Sequence, residues 1–264
     1  MATGIVNPHT MAVGFDVVND IPWHTLYWAD GPAMAAVGTS NNGKVTRIPD
    51  EMGTTGDDLV PNRGTGTGIT WQAQGSLGMG GGAFNFNNTE TDYLQLAGST
   101  TAWTKGAVMT GGSTRYTVVS LGYGALDSNQ ANLRGFYSSA GGGQDGVSVT
   151  ARIANGIITP SGGPSVYSGV TNQYANNTLY AFLHDINVGG SNSRFYKNGS
   201  SINYQTGTML AMPNVRLGSK RAYSQYSWRG QIALWGIVDG YLRGSSEFAD
   251  LKAWFQSYYG VASL

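Results

Sequence analysis

Cysteine is absent from all 264 residues. That absence removes disulfides, thiolate zinc sites and a cysteine nucleophile together. Charge is scarce as well: 11% of residues are Asp, Glu, Lys or Arg, against a usual share of about 25%. The 15 basic and 15 acidic residues cancel. No basic footprint for a nucleic-acid backbone exists, and no acidic tail. Long apolar runs are missing too, so no segment reads as a membrane-spanning helix. The first residues, Met1 to Pro8, have neither a basic start nor an apolar stretch. Synthesis in a host cytoplasm without a signal peptide is therefore expected.

What the chain has is glycine, 40 residues of it, far above an average usage of roughly 7%. No collagen period accompanies it. Spread among Thr, Val and Tyr, it reads as turns and bulges joining short strands. Residues 1–25 carry Pro8, Pro22 and short apolar pieces without a sustained period; they are read as an N-terminal docking arm, and 26–264 as one domain. Within 26–82, Tyr27–Gly31 and Val45–Asp50 are candidate short strands. The stretch from Gly53 to Gly82 is too long for a bare loop and is expected to supply at least one edge strand.

From residue 83 the strand signals are regular. Ala83–Asn87 and Tyr93–Leu96 flank a turn-like stretch, followed by Arg115–Gly122, Leu133–Ser138, Val147–Ile153, Leu179–Asn187 and Asn214–Gly218. Asn198-Gly199 sits between Arg194–Lys197 and Ser200–Tyr204, as a two-residue hairpin turn with two positive φ angles demands. Gln231–Tyr241 is apolar at consecutive positions, which fits a strand buried on both faces. One helix is expected at the end. Ser245 or Ser246 can cap it, Glu247 and Asp250 suit its first turn, Phe248, Leu251, Phe255 and Tyr258 share a face, and Gly260 follows. The fold class is all-β, a two-sheet sandwich with one C-terminal helix.

Four stretches, in order, resemble the concanavalin A-like or laminin-G-like jelly roll, especially versions in phage minor tail proteins. They are Val45–Thr54 ending in Asp58-Leu59; Gly82–Asn88 with Asp92-Tyr93-Leu94; His184-Asp185 with Arg194–Gly199; and Leu217-Gly218 with Trp228–Ala233. The second is similar to an "apolar-x-Phe-Asp-Gly…Asp-Tyr-apolar" hairpin, with Asn here in place of the usual Asp and Gly. The fourth is similar to a "Leu-Gly…Phe-x-Gly-x-Ile-x-apolar" closing strand. The resemblance spans about residues 40–264. It implies a non-enzymatic virion structural protein: a minor tail, tail-tip or fibre component touching other virion subunits. Self-association is expected, with a trimer as one form, and so is contact with host surface glycans. A free lectin domain and a capsid decoration protein are the alternatives.

Glycoside hydrolases on related folds need two carboxylates about 5–9 Å apart. The chain has three Glu (Glu51, Glu90 and Glu247), and none stands in a Glu-x-Asp-x-x-Glu pattern. No Gly-x-Ser-x-Gly elbow exists. Gly78–Ala83 matches a loose dinucleotide fingerprint but precedes a strand, so phosphate would lack a helix N-terminus. His184 beside Asp185 is read as a strand histidine with one hydrogen bond. No catalytic residue is assigned and no cofactor is expected. Arg221, Tyr223, Gln225, Tyr226, Trp228 and Arg229 are candidates for sugar stacking or for a subunit interface, where these types are equally enriched. Asp127, Asn129, Asp185 and Asn187 offer hard oxygens for calcium, or simply Asx turns.

Overall fold

The computed structural model describes residues 10–11, 15–53, 57–62, 68–86, 93–96, 115–126, 134–141, 144–152, 156–162, 173–188, 193–202, 215–219, 227–261 and 263–264. Among these, the elements in chain order are β1 (Thr10–Met11), β2 (Phe15–Asp16), β3 (Trp23–Trp28), α1 (Pro32–Val37), β4 (Leu59–Pro61), β5 (Ile69–Gln72), β6 (Ala83–Phe86), β7 (Leu94–Leu96), β8 (Arg115–Gly124), β9 (Arg134–Gly141), β10 (Gln144–Arg152), β11 (Ile157–Gly162), β12 (Tyr180–Asn187), β13 (Arg194–Lys197), β14 (Ser200–Ile202), β15 (Arg216–Leu217), β16 (Gly230–Asp239) and α2 (Ser246–Tyr259).

Two antiparallel sheets form a sandwich of the jelly-roll type. The smaller runs β11-β10-β9-β15-β7-β4, the larger β14-β13-β12-β8-β16-β6-β5. β16 is the axis of the larger sheet. One edge pairs along its length with β8; the other pairs first with β6 at Gly230–Ile232, then with β3 at Leu234–Val238. A register shift between Ile232 and Leu234 marks a bulge, which turns Ala233 and Leu234 outward while Ile232, Trp235 and Ile237 face the other sheet.

This alternation produces two cores. Tyr116, Val118, Phe182, Phe195, Trp235 and Ile237 meet Leu94, Phe136, Tyr137, Val149 and Leu217 between the sheets. Leu26, Trp28, Val119, Leu121, Leu183, Leu234 and Val238 lie on the outer face of the larger sheet under Leu251, Trp254, Phe255 and Tyr259 of α2. β16 is thus covered on both faces, as its continuous apolar run requires.

The hairpin at Asn198-Gly199 has φ values of 46° and 76°, the two left-handed residues of a type I′ turn. Helix α2 ends at Gly260 with φ 72°, and Ser245 stands at its N-cap in extended conformation without a side-chain cap hydrogen bond. The buried face comprises Leu251, Trp254, Phe255 and Tyr259. The expected stripe therefore shifts: Trp254 and Tyr259 enter it, while Phe248 and Tyr258 sit at its margin. The glycine run before β6 is the seat for this helix. A Cβ on Gly80 would strike the Tyr258 carbonyl oxygen, and one on Gly81 would meet the rings of Tyr258 and Tyr259. The apparent dinucleotide fingerprint is thus a packing requirement, and it leads into strand β6.

Several expectations change. Ala83–Phe86 and Leu94–Leu96 belong to opposite sheets, so they are not the two arms of a hairpin. Val45–Asp50 is no strand. It is held by isolated bridges at Lys44 and Ile48, with Val45 and Ile48 fully buried. Two edge strands, β4 and β5, arise from the glycine-rich stretch where at least one was expected. The short helix α1 and strand β11 go beyond what the sequence reading expects. Of the expected arm, residues 1–9 and 12–14 lie outside the described residues. From Phe15 the chain is built into the body: Val17 and Ile21 join the outer core, the Trp23 indole N–H donates to the Val17 carbonyl at 2.6 Å, and Trp23–Trp28 is a strand of the main sheet. No helix among the described residues is long and apolar enough to cross a membrane.

Candidate functional site

Arg221, Tyr223, Gln225 and Tyr226 lie outside the described residues, as do Asp127 and Asn129. Trp228 is no stacking platform. It is 3% exposed, meets Phe136 edge-on at 5.1 Å, and donates its indole N–H to the Tyr123 carbonyl at 3.0 Å. Gly230 follows two residues later at φ 136° and brings β16 close to β8, so Trp228 is drawn between the sheets. Arg229 is exposed.

Asp185 and Asn187 are engaged by neighbours within the protein. The Asp185 side chain is nearly buried on the outer face of β12 and accepts a 2.7 Å hydrogen bond from the Thr117 hydroxyl. It lines a pocket with Arg115, Arg194 and Arg243, and this company disfavours a metal ion. The Asn187 amide N–H donates to the Ser193 hydroxyl. No three His, Cys, Asp or Glu side chains among the described residues come together as metal ligands. His184 is fully buried, its Nδ1 sharing a 3.0 Å hydrogen bond with the Tyr137 hydroxyl. Burial lowers its pKa from 6.5 to about 3, so the imidazole is neutral at physiological pH.

Glu51 serves the backbone. Its two oxygens accept from the Ala33 and Met34 N–H groups at 2.9 and 3.3 Å, the donors that the first turn of α1 leaves open. Burial raises its pKa to about 7 in spite of those bonds. Glu247 is in the first turn of α2, and Glu90 lies outside the described residues.

Among the described residues, two pockets lie beside α2, one at its last turn and one at the segment that leads into it. The first, about 330 Å³, is lined by Ala29, Asp30, Met34, Ala35, Thr39, Trp71 and Tyr258. Its walls are the turn after β3, helix α1, edge strand β5 and the last turn of α2. The Asp30 carboxylate accepts from the Gly82 N–H and from the Tyr258 hydroxyl at 2.8 Å. The Trp71 indole N–H donates to the Ala29 carbonyl at 2.8 Å. Both rings are half-buried, and these bonds hold them in place. Burial and the nearby Asp30 charge push the Tyr258 phenol well above its ordinary pKa, so its hydroxyl stays a donor.

The second pocket, about 530 Å³, is lined by Arg115, Asp185, Arg194, Tyr196, Tyr241, Arg243 and Gly244. The Arg243 guanidinium lies over the Tyr196 ring at 4.0 Å from its centroid, and that of Arg115 over Tyr241 at 5.1 Å. Burial raises the Asp185 pKa while Thr117, Arg243 and Arg194 pull it down.

No protein-family model matches the chain, and no curated protein matches its sequence. Solved structures do share its fold. A Trypanosoma rangeli sialidase in complex with sialic acid superposes with a TM-score of 0.58 at 12% identity, covering 88% of this chain and 32% of its own. Domain 4 of an extracellular GH43 arabinanase from Geobacillus stearothermophilus, in complex with arabinotriose, gives 0.54 at 14%, covering 83% of this chain and 93% of that domain. The binding domain of botulinum neurotoxin serotype D gives 0.56 at 13%, covering 89% of this chain and 51% of that one. This chain therefore spans about a third of the sialidase and half of the toxin domain. At such identities the likeness is one of fold.

The sequence alone marks neither pocket. Trp71 stands in a glycine-rich stretch without period, and Tyr258 reads as an ordinary helix-face residue. Asp30 beside a turn gave no signal, because its partners Gly82 and Tyr258 are 52 and 228 residues away.

Proposed function

We propose that this chain is a non-enzymatic carbohydrate-binding module, carried on a phage virion as a minor tail, tail-tip or fibre component that touches host surface glycans. The observation that carries the glycan reading is the pocket of Trp71, Tyr258 and Asp30. Sugar recognition combines apolar ring faces with a few fixed polar groups in a concave site. Here two aromatic rings line a pocket of suitable size, and each is held by a hydrogen bond. The carboxylate of Asp30 supplies an acceptor for sugar hydroxyls. The arabinanase domain, similar in fold and nearly equal in extent, is in complex with arabinotriose; this supports the reading by analogy.

The non-enzymatic part rests on the role of Glu51, whose oxygens are engaged by backbone N–H groups, and on the scarcity of glutamate. The virion placement rests on the low charge, the missing cysteine and the resemblance of the four segments to phage tail proteins. The part of the N-terminal arm before Phe15, with Arg221, Tyr223, Gln225, Tyr226 and Arg229, is the proposed contact for self-association.

A glycan array probed with labelled protein tests the central claim. Binding to a defined neutral oligosaccharide is expected, and Trp71→Ala weakens it by about ten-fold, equivalent to roughly 1.4 kcal/mol. Silence across the array, or binding indifferent to Trp71, refutes the pocket assignment. Co-purification with assembled particles tests the placement; a monomer never recovered with particles removes it.

A further inference from the structure

We infer that the pocket of Arg115, Arg194 and Arg243 is a second binding site, specific for the carboxylate of an acidic sugar. It goes beyond the Trp71 pocket and stands or falls separately from it.

The first argument is concentration of charge. Only 15 of 264 residues are Lys or Arg, yet three guanidiniums from three separate elements line this one pocket. Arg115 opens β8, Arg194 opens β13, and Arg243 lies just before α2. A single lining carboxylate, Asp185, opposes them. Two positive charges are left in excess among the described lining residues. A chain of zero net charge with so few ions has no general need for such a cluster.

The second argument is order. Arg243 is clasped between Tyr196 and Phe248, at 4.0 and 5.9 Å from the ring centroids. Its Nη1 also donates to the Gly199 carbonyl at 3.4 Å. Arg115 rests on Tyr241. Cation–π contacts of this kind reduce the entropy lost when a guanidinium engages a ligand. Asp185 is itself tied to Thr117, whose hydroxyl also accepts the Leu242 N–H at 3.0 Å. That tie fixes the segment after β16 against β8 and β12, and with it the position of Arg243. The carboxylate sits at the base and the guanidiniums at the exposed rim.

The third argument is ligand geometry. A planar guanidinium matches a carboxylate through two parallel N–H···O bonds. The pocket volume of about 530 Å³ holds a sugar ring besides the anionic group. The two pockets share no lining residue: one takes Tyr258 from the last turn of α2, the other Arg243 and Gly244 from the segment before it.

Calorimetric titration of the whole chain tests this with five probes: galacturonate oligomers, N-acetylneuraminate, the methyl ester of each, and inorganic phosphate. At least one acid is expected to bind, with its methyl ester weaker by ten-fold or more. Arg243→Gln and Arg194→Gln, both exposed positions, should each weaken that acid by about ten-fold. Trp71→Ala should leave it unchanged. Equal affinity for acid and ester, or affinity insensitive to both arginine variants, overturns the assignment. So does phosphate binding as tightly as either acid, which would mark a general oxyanion site. Loss of acid binding in Trp71→Ala overturns it as well, by moving the ligand to the other pocket. Failure of the neutral glycan with success of the acid refutes only the Trp71 reading, and the reverse refutes only this one.

Discussion

His184 should make the protein acid-sensitive by an amount that can be worked out in advance. Its ring is fully buried between the two sheets, hydrogen-bonded to Tyr137 and edge-on to Phe195 at 5.4 Å. Burial holds its pKa at about 3, against 6.5 for an exposed histidine. Below pH 6.5 the unfolded chain takes up a proton that the folded chain refuses. Stability is therefore fully present above 6.5 and lost as pH falls toward 3. At pH 4.5 the loss is about 2.7 kcal/mol, two pH units at 1.36 kcal/mol each. A folded pKa one unit higher barely changes that figure. The perturbation is His184→Gln, which retains an acceptor for the Tyr137 hydroxyl but cannot protonate. Urea unfolding of both proteins at pH 7.5, 6.5, 5.5 and 4.5 gives the difference in stability at each pH. The absolute cost of the substitution cancels from the pH trend. The advantage of the wild-type protein should shrink by about 2.7 kcal/mol between pH 7.5 and 4.5. A difference that stays constant within about 0.5 kcal/mol would refute a buried neutral imidazole.

Glu51 should act with the opposite sign. Its folded pKa is raised to about 7, so its stabilising contribution is present below 4.5 and lost as pH rises through 7; the stability of wild type relative to Glu51→Gln should fall over that window in the same urea assay. Trp254→Ala removes the ring that meets Trp28 edge-on at 5.3 Å and stacks on Tyr258; a loss of about 3–5 kcal/mol is expected by denaturant unfolding. Gly199→Val combines a φ of 76° with a side chain driven into Ser263 and should cost about 1–3 kcal/mol, whereas Gly38→Ala, with φ 71° but open space around it, should cost less. Trp71→Ala, at the half-buried edge strand, should alter stability less than Trp254→Ala while reducing glycan affinity about ten-fold.

Local signals in the chain were enough for the strands that alternate or run apolar, for the Asn198-Gly199 turn, and for the helix bounded by Ser245 and Gly260. Each depends on neighbours within a few residues, which a linear reading sees. They were enough, too, to set aside a metal cluster of thiolates and a glutamate pair of the Glu-x-Asp-x-x-Glu kind. What they could not show is which sheet each strand joins. Ala83–Phe86 and Leu94–Leu96 look like hairpin partners in one dimension, yet they face each other across the sandwich because β16 claims the first and β4 and β15 claim the second. Trp228 shows the same limit. Its neighbourhood of Tyr, Gln and Arg suggested a recognition loop, but close approach of Gly230 to β8 pulls the indole into the core. The two pockets lie wholly on this side of the divide. Their walls come from elements up to 228 residues apart in the chain, brought together by a helix that lies across the outer face of the larger sheet and ends beside a different set of side chains at each terminus. Composition and periodicity determined that this would be a β-sandwich with a covering helix, because burial patterns are local. Only the tertiary packing of that helix decided where an aromatic pair meets a carboxylate and where three arginines converge, because those meetings depend on long-range contacts that no local pattern encodes.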